Sequence, residues 1–297
     1  MSTNKASIWH GIALYALATA TTLGIGSFVS VPQAGAQASV QTADNNNIFA
    51  NSMGLTTLST DVNTLYFVTS NFDPANFGDT FEDHALGVFF DWGHGYWAVF
   101  NQDGAAMPVG AAFNVVGIPP AFTGGTNNAW VHTAATDNDG DYTVVENTSQ
   151  MANALVWVTP NWNPGGVHKG IFDTHPLAVK YTGTDWAIFH EDGSPIPAGA
   201  SYNVYVVNES AYPMFYTHTA TTSNSTANAT LLDNWLLDGD PFHILIVTQN
   251  YTVNGVNNGT ANKHNIGVVY VNSHWAIFNQ DGAPIPAGAS FNVWVVR

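Results

Sequence analysis

The chain has 297 residues, no cysteine, and 5 basic against 21 acidic side chains, a formal net charge of −16. Nucleic acid and anionic membrane surfaces are both held by Lys and Arg, so this balance excludes them as partners. With no thiol there is no disulfide framework, and the 13% of aromatic residues must supply the core.

Ahead of Ser39 the only charged side chain is Lys5. An apolar run follows from Ile12 to Val31, and Ala36-Gln37-Ala38 ends it in a small-x-small pattern. The segment reads as a secretory signal over 1–38, removed on export, which predicts a secreted or cell-surface protein. No later stretch is apolar enough to span a bilayer. Charged residues make up only 9% of the chain, against roughly 25% in ordinary domains, so the surface must be Asn, Thr, Ser and Gly.

One motif then recurs three times: WAVFNQDGAAMPVGAAFNVV from 97, WAIFHEDGSPIPAGASYNVYVV from 186 and WAIFNQDGAPIPAGASFNVWVV from 275. Trp97, Trp186 and Trp275 stand 89 residues apart, a period too long for a solenoid turn and suited to a small domain in tandem. The copies are read as 39–117, 126–207 and 212–297, with linkers near 117–128 and 208–213. Their short segments of Val, Ile, Phe, Tyr, Trp and Thr, punctuated by Gly, Asn, Asp and Pro, predict strands joined by turns. In Phe291-Asn292-Val293-Trp294-Val295 the residues 291, 293 and 295 share one face, and Val268–Tyr270 with Trp275–Phe278 reads as a hairpin turning at Asn272 and Ser273. The fold class is therefore all-β: three tandem small β-sandwich or barrel-like domains. Copies two and three open on Val131-His132-Thr133-Ala134 and Thr217-His218-Thr219-Ala220. Copy one has no such strand. Either Ile48-Phe49-Ala50 replaces it, or its edge is bare and accepts a strand from another chain, such as the Ser39–Ala50 tail, building filaments.

Trp-Ala-Ile-Phe-Asn-Gln-Asp followed by Pro-x-Gly-Ala-x-Phe-Asn-Val, together with Val-Thr-Pro-Asn-Trp-Asn-Pro-Gly-Gly-Val at 158–167, resembles an uncharacterised repeat family of exported bacterial proteins. The resemblance covers most of copies two and three and the latter two-thirds of copy one. It implies a repeated, exported β domain and no particular activity.

Candidate site residues divide by chemistry. The Asp-Gly pairs at 103, 192 and 281 are turn formers or a thrice-repeated carboxylate ligand. Asn114, Asn203 and Asn292 in the last strand either face a ligand or bond a neighbouring loop. His84, His175 and His264, with His132 and His218, offer zinc or copper ligands or plain strand caps. Asp137, Asp139 and Asp141 resemble the start of a calcium loop, but Thr148 stands where its closing Glu belongs, so a solvated turn is favoured over a calcium site and no cofactor is expected. Trp92, Tyr96, Trp162 and Tyr251 lie in or beside loops, where a ring stacks on a sugar or packs an interface. No Gly-x-Ser-x-Gly, His-Glu-x-x-His or phosphate loop occurs, and no acid pair recurs at fixed spacing. The expectation is a non-catalytic structural or adhesive surface protein that meets itself or other surface proteins. A multivalent binder of neutral glycans is the alternative, and a hydrolase with a single-copy site the third class.

Overall fold

The computed structural model describes residues 36–74, 80–120, 128–135, 140–167, 170–208 and 210–296. Each copy contributes six main strands. Copy one supplies β1 (Gln37–Thr42), β2 (Ser52–Gly54), β3 (Leu65–Asn71), β4 (Leu86–Asp91), β5 (Tyr96–Asn101) and β6 (Ala112–Ile118). Copy two supplies β7 (Asn128–Thr133), β8 (Tyr142–Val144), β9 (Leu155–Pro160), β10 (Leu177–Tyr181), β11 (Trp186–His190) and β12 (Ser201–Val207). Copy three supplies β13 (Phe215–Thr219), β14 (Ala229–Leu231), β15 (Ile244–Asn250), β16 (Ile266–Val271), β17 (His274–Asn279) and β18 (Ser290–Val296). The hairpin at Asn272 and Ser273 forms as read, both residues holding positive φ so that Val271 faces His274.

In every copy the first, sixth and third strands form one sheet, and the second, fifth and fourth form the other. The two sheets enclose a core of their own. In copy three Phe291, Val293 and Val295 of β18 pack there with Trp275 and Ile277 of β17. Copies one and two repeat this around Trp97 and Trp186.

The other face of each first sheet is buried as well. Leu65, Phe67, Leu155, Trp157, Ile244 and Ile246 from the third strands meet Val116, Tyr205 and Trp294 from the sixth strands in one shared cluster. Strands covered on both faces read as near-continuous apolar runs, which is why β3, β9 and β15 are so rich in them. The shared cluster draws equivalent residues from all three copies, so it lies on a pseudo-threefold axis.

The copies are also joined by backbone, and the joins close a ring. The end of β3 pairs in parallel with β16, Ser70 opposite Gly267. The end of β15 pairs in parallel with β10, Gln249 opposite Ala178. Beyond β9, Asn161 bridges Val88 of β4. One residue further on, the amides of Phe72, Trp162 and Tyr251 donate to the carbonyls of Val268, Val88 and Val179 at 2.9, 3.0 and 2.9 Å. Copy one leans on copy three, copy three on copy two, and copy two on copy one. A tandem of three independent beads is thus replaced by three fused sandwiches.

Two expectations about copy one are corrected. Its front strand is present: β1 pairs antiparallel with β6 from Gln37–Gly117 to Thr42–Ala112, so the chain's own tail completes the sheet. Ile48–Phe49 instead forms a two-residue pairing with Ser52 and Met53. The boundary expected at 38/39 consequently falls inside β1, since Gln37 and Ala38 already belong to the ladder. Residues 1–35, the rest of the expected leader, lie outside the described residues, as do 121–127 and 209 in the expected linkers. No helix among the described residues is long and apolar enough to cross a membrane.

Candidate functional site

The residues repeated in all three copies converge on the axis and on the boundaries between copies. Thr69, Thr159 and Thr248 sit near the ends of the third strands. Each hydroxyl accepts an amide of the next copy: Val247 to Thr69 at 2.9 Å, Val68 to Thr159 at 3.2 Å and Val158 to Thr248 at 3.2 Å. Beside them Asn114, Asn203 and Asn292 are fully buried. Each Oδ1 accepts from an asparagine of its own copy (Asn71, Asn161, Asn250) at 2.8–2.9 Å. Each Nδ2 crosses to a carbonyl of another copy: Leu245 at 3.1 Å, Tyr66 at 2.9 Å and Val156 at 3.0 Å. These asparagines bond neighbouring backbone and present nothing to solvent.

At one end of the axis lies a cavity of about 110 Å³. Its walls are threefold: Val68, Val158 and Val247, the three threonines, and His84, His175 and His264. Every one of these histidines is held by the aspartate of its Asp-Gly turn, Nδ1 to Oδ2, at 2.6 Å from Asp103, 2.7 Å from Asp192 and 2.7 Å from Asp281. The other carboxylate oxygen accepts the amide two residues on, from Ala105, Ser194 and Ala283, and the glycine after each aspartate holds φ near +80°. The Asp-Gly pair therefore builds a turn and orients a histidine with the same side chain. Burial opposes ionisation of Asp192, but the Ser194 and His175 hydrogen bonds outweigh it and bring its pKa down to about 2. A carboxylate can only accept, so Nδ1 carries the proton and, in the neutral ring, Nε2 offers its lone pair, the form in which imidazole ligates a metal.

Behind each histidine lies a buried polar pair that differs between copies. In copy three, Asn262 and Asn279 bond one another at 2.8 and 3.0 Å, and Asn262 also reaches Gln249 at 2.8 Å. In copy two, His190 Nε2 lies 2.7 Å from Asp173, whose second oxygen accepts the Tyr202 hydroxyl at 2.6 Å. Burial works against the charged imidazole of His190, yet Asp173 and the Ser194 carbonyl raise its pKa. In copy one the pair is Glu82 and Asn101. Both carboxyl oxygens of Glu82 and Oδ1 of Asn101 are buried without a well-aligned hydrogen bond, although the Asn101 side chain adjoins the carboxylate and favours its charged form. Desolvation pushes Glu82 up to about 7.

A third set seals the boundaries. Gln102 accepts the Asp173 amide at 2.9 Å, and Gln280 both accepts from and donates to the Glu82 backbone, at 3.1 and 2.7 Å. At the remaining boundary the equivalent residue is Glu191, which accepts the Asn262 amide. Burial drives Glu191 up to about 8.

The aromatic candidates divide. Trp162 and Tyr251, with Phe72 as the copy-one equivalent, insert at the boundaries against Phe89, Phe189 and Phe278. Tyr96 is half-buried over Gly54 and stacks on His94. Trp92 is 58% exposed, and its Nε1 donates to the Gly166 carbonyl at 2.7 Å. A Cβ at Gly166 would lie 2.6 Å from that indole, and φ there is +73°, so glycine is needed on both counts. Of the calcium candidates, Asp137 and Asp139 lie outside the described residues, and Asp141 stands 3.7 Å from Lys180 Nζ. Among the described residues nothing points to calcium. His175, His190 and Asp192 do bring ligand atoms within 4.8 Å of one another and could hold a metal ion. His132 and His218 are buried and bond Thr143 and Thr230 at 2.9 and 2.8 Å, roles inside the sandwich.

Sequence reasoning missed Glu82, Asn101, Glu191 and the glutamines. Gln102, Glu191 and Gln280 were legible as the residue before each Asp-Gly, but their partners lie about 70 to 200 residues away. No curated protein and no solved structure matches the chain. One family model matches it three times, over 18–117, 87–206 and 186–295, each match ending with the last strand of a copy. The chain belongs to the family of that model, described as Domain of unknown function (DUF7452).

Proposed function

We propose that the chain is an exported, non-catalytic structural or adhesive protein of a cell surface or extracellular matrix, and that the ring is its working form. One observation carries the reading: the asparagines and threonines repeated in all copies are consumed in building the ring, through contacts that satisfy backbone of another copy. The axial cavity that the repeated histidines line, about 110 Å³, is well below the several hundred Å³ of a usual substrate pocket, and the larger hollows of about 370 and 400 Å³ are not lined by equivalent residues of all three copies. Self-association now has a different basis from a missing strand. β1, β7 and β13 each stand at the edge of a sheet, one in each copy, and an edge offers backbone groups for strand addition, although Phe215 of β13 is already paired with Ala211. Light scattering and electron microscopy of the protein at rising concentration, with a screen on ester, glycoside and peptide substrates, test this. Assemblies larger than one chain without turnover support it. A monodisperse monomer that hydrolyses one of these substrates would sink it.

Glycan binding is the second reading, favoured by large rings on loops: Trp92, Trp235 at 52% and Phe242 at 76% exposure. Glycan-array binding lost in Trp235→Ala or Phe242→Ala would support it. Trp92, Trp162 and Tyr251 are poorer probes, because their substitution would also loosen the boundaries.

A further inference from the structure

The polar pair behind the axial histidines is closed in two copies and open in one. Asp173 is saturated by His190 and Tyr202, and Asn262 by Asn279 and Gln249. Copy one has Phe113 in place of Tyr202 and Ser70 in place of Gln249, so neither partner exists there. What remains is a buried cluster of oxygens beside His84. Glu82 is 2% exposed and Asn101 fully buried, and the two adjoin. Three of their oxygens lack a well-aligned hydrogen bond. Buried polar atoms without partners are rare in native proteins and call for an explanation, of which a bound water or ion is one.

His84 faces this cluster. Its Nε2 lies 3.9 Å from Glu82 Oε1, while its Nδ1 is held by Asp103 at 2.6 Å. Two ligands on a tetrahedral ion, each about 2.0–2.1 Å from it, stand about 3.3 Å apart, so a side-chain adjustment of about 0.6 Å brings both onto one ion. His84 is partly exposed and lines the axial cavity, which supplies an entry path. Asp103–His84 reproduces the carboxylate–histidine arrangement that orients metal-ligating imidazoles.

We propose that copy one binds a single divalent cation of the zinc class, ligated by His84 Nε2 and the Glu82 carboxylate, with the buried side chain of Asn101 beside them. The imidazole selects a first-row transition metal or zinc over calcium. The cluster of His175, His190 and Asp192 is a poorer site, because both nitrogens of His190 are already bonded, to Asp173 and to the Ser194 carbonyl.

Calorimetric titration of the full chain with Zn²⁺ alone, repeated with Glu82→Gln, His84→Gln and His175→Gln, tests the assignment. One saturable high-affinity site is expected. Glu82→Gln and His84→Gln each weaken it at least tenfold, and His175→Gln leaves it within twofold. Co²⁺ in the same site gives visible d–d absorption that both copy-one variants abolish. Absence of a saturable site, its survival in both copy-one variants, or equal loss in His175→Gln overturns the proposal. If Glu82→Gln does not fold, His84→Gln decides alone, since that side chain is one-third exposed and its loss leaves the buried oxygens in place.

Discussion

Glu191→Gln should stabilise the protein at alkaline pH and leave it unchanged in acid. Glu191 closes the boundary between copies two and three, at the position where Gln102 and Gln280 close the other two. It is buried, and desolvation raises its pKa from 4.5 to about 8. The folded state therefore holds a proton between pH 4.5 and about 8 that the unfolded state has released, and stability falls as pH rises through that window. At about 1.4 kcal/mol per tenfold, the loss approaches ~5 kcal/mol above pH 8, and relaxation of the boundary brings it to the order of 3 kcal/mol. Glutamine has the shape of the protonated acid and does not titrate. Calorimetric melting at pH 5 and pH 9 is the assay. At about 2–4 °C per kcal/mol for a protein of this size, the variant should melt ~10 °C above the parent at pH 9 and within ~2 °C of it at pH 5. A variant no more stable than the parent at pH 9 would refute the claim that this carboxyl is buried by ring closure.

Three further outcomes follow from the same contacts. Asn203→Ala strips a partner from Asn161 and from the Tyr66 carbonyl, both buried, and should cost ~2–4 kcal/mol in urea unfolding. Trp157→Ala opens the shared axial cluster, where its ring lies between Tyr205, Phe215 and Trp294, and should cost ~3–5 kcal/mol by the same measurement. Gly282→Ala should cost only ~1 kcal/mol, because an added Cβ meets nothing within 4 Å and the penalty is that of φ at +80° alone.

Local structure was legible in the sequence because its causes are local. The Asp-Gly turns, the Asn272–Ser273 hairpin and the sandwich face of β18 all rest on residues within a few positions of one another. The ring was not legible. Phe291, Val293 and Val295 show the alternation of a half-buried strand, yet Asn292 and Trp294 between them are buried as well, against other copies. A partner held far off in the chain leaves no pattern among a side chain's neighbours, as with Asn203 and the Tyr66 carbonyl it bonds. The His–Asp pairs were within reach, since His84, His175 and His264 precede their aspartates by 17 to 19 residues in every copy. The missing front strand was misjudged because Gln41 stands in β1 where His132 and His218 stand in β7 and β13, so the Val-His-Thr pattern is broken although the strand is kept.

Closure of three copies into one particle is the claim on which the rest depends, and small-angle X-ray scattering from residues 36–297 measures it directly. A ring buried on a shared axis behaves as one compact body, with a radius of gyration of about 18 Å. Three separate domains of roughly 12 Å radius strung in line, with centres ~30 Å apart, would give about 27 Å. The predicted result is the compact radius, unchanged between pH 5 and pH 9. The extended radius, measured at neutral pH, would contradict the account.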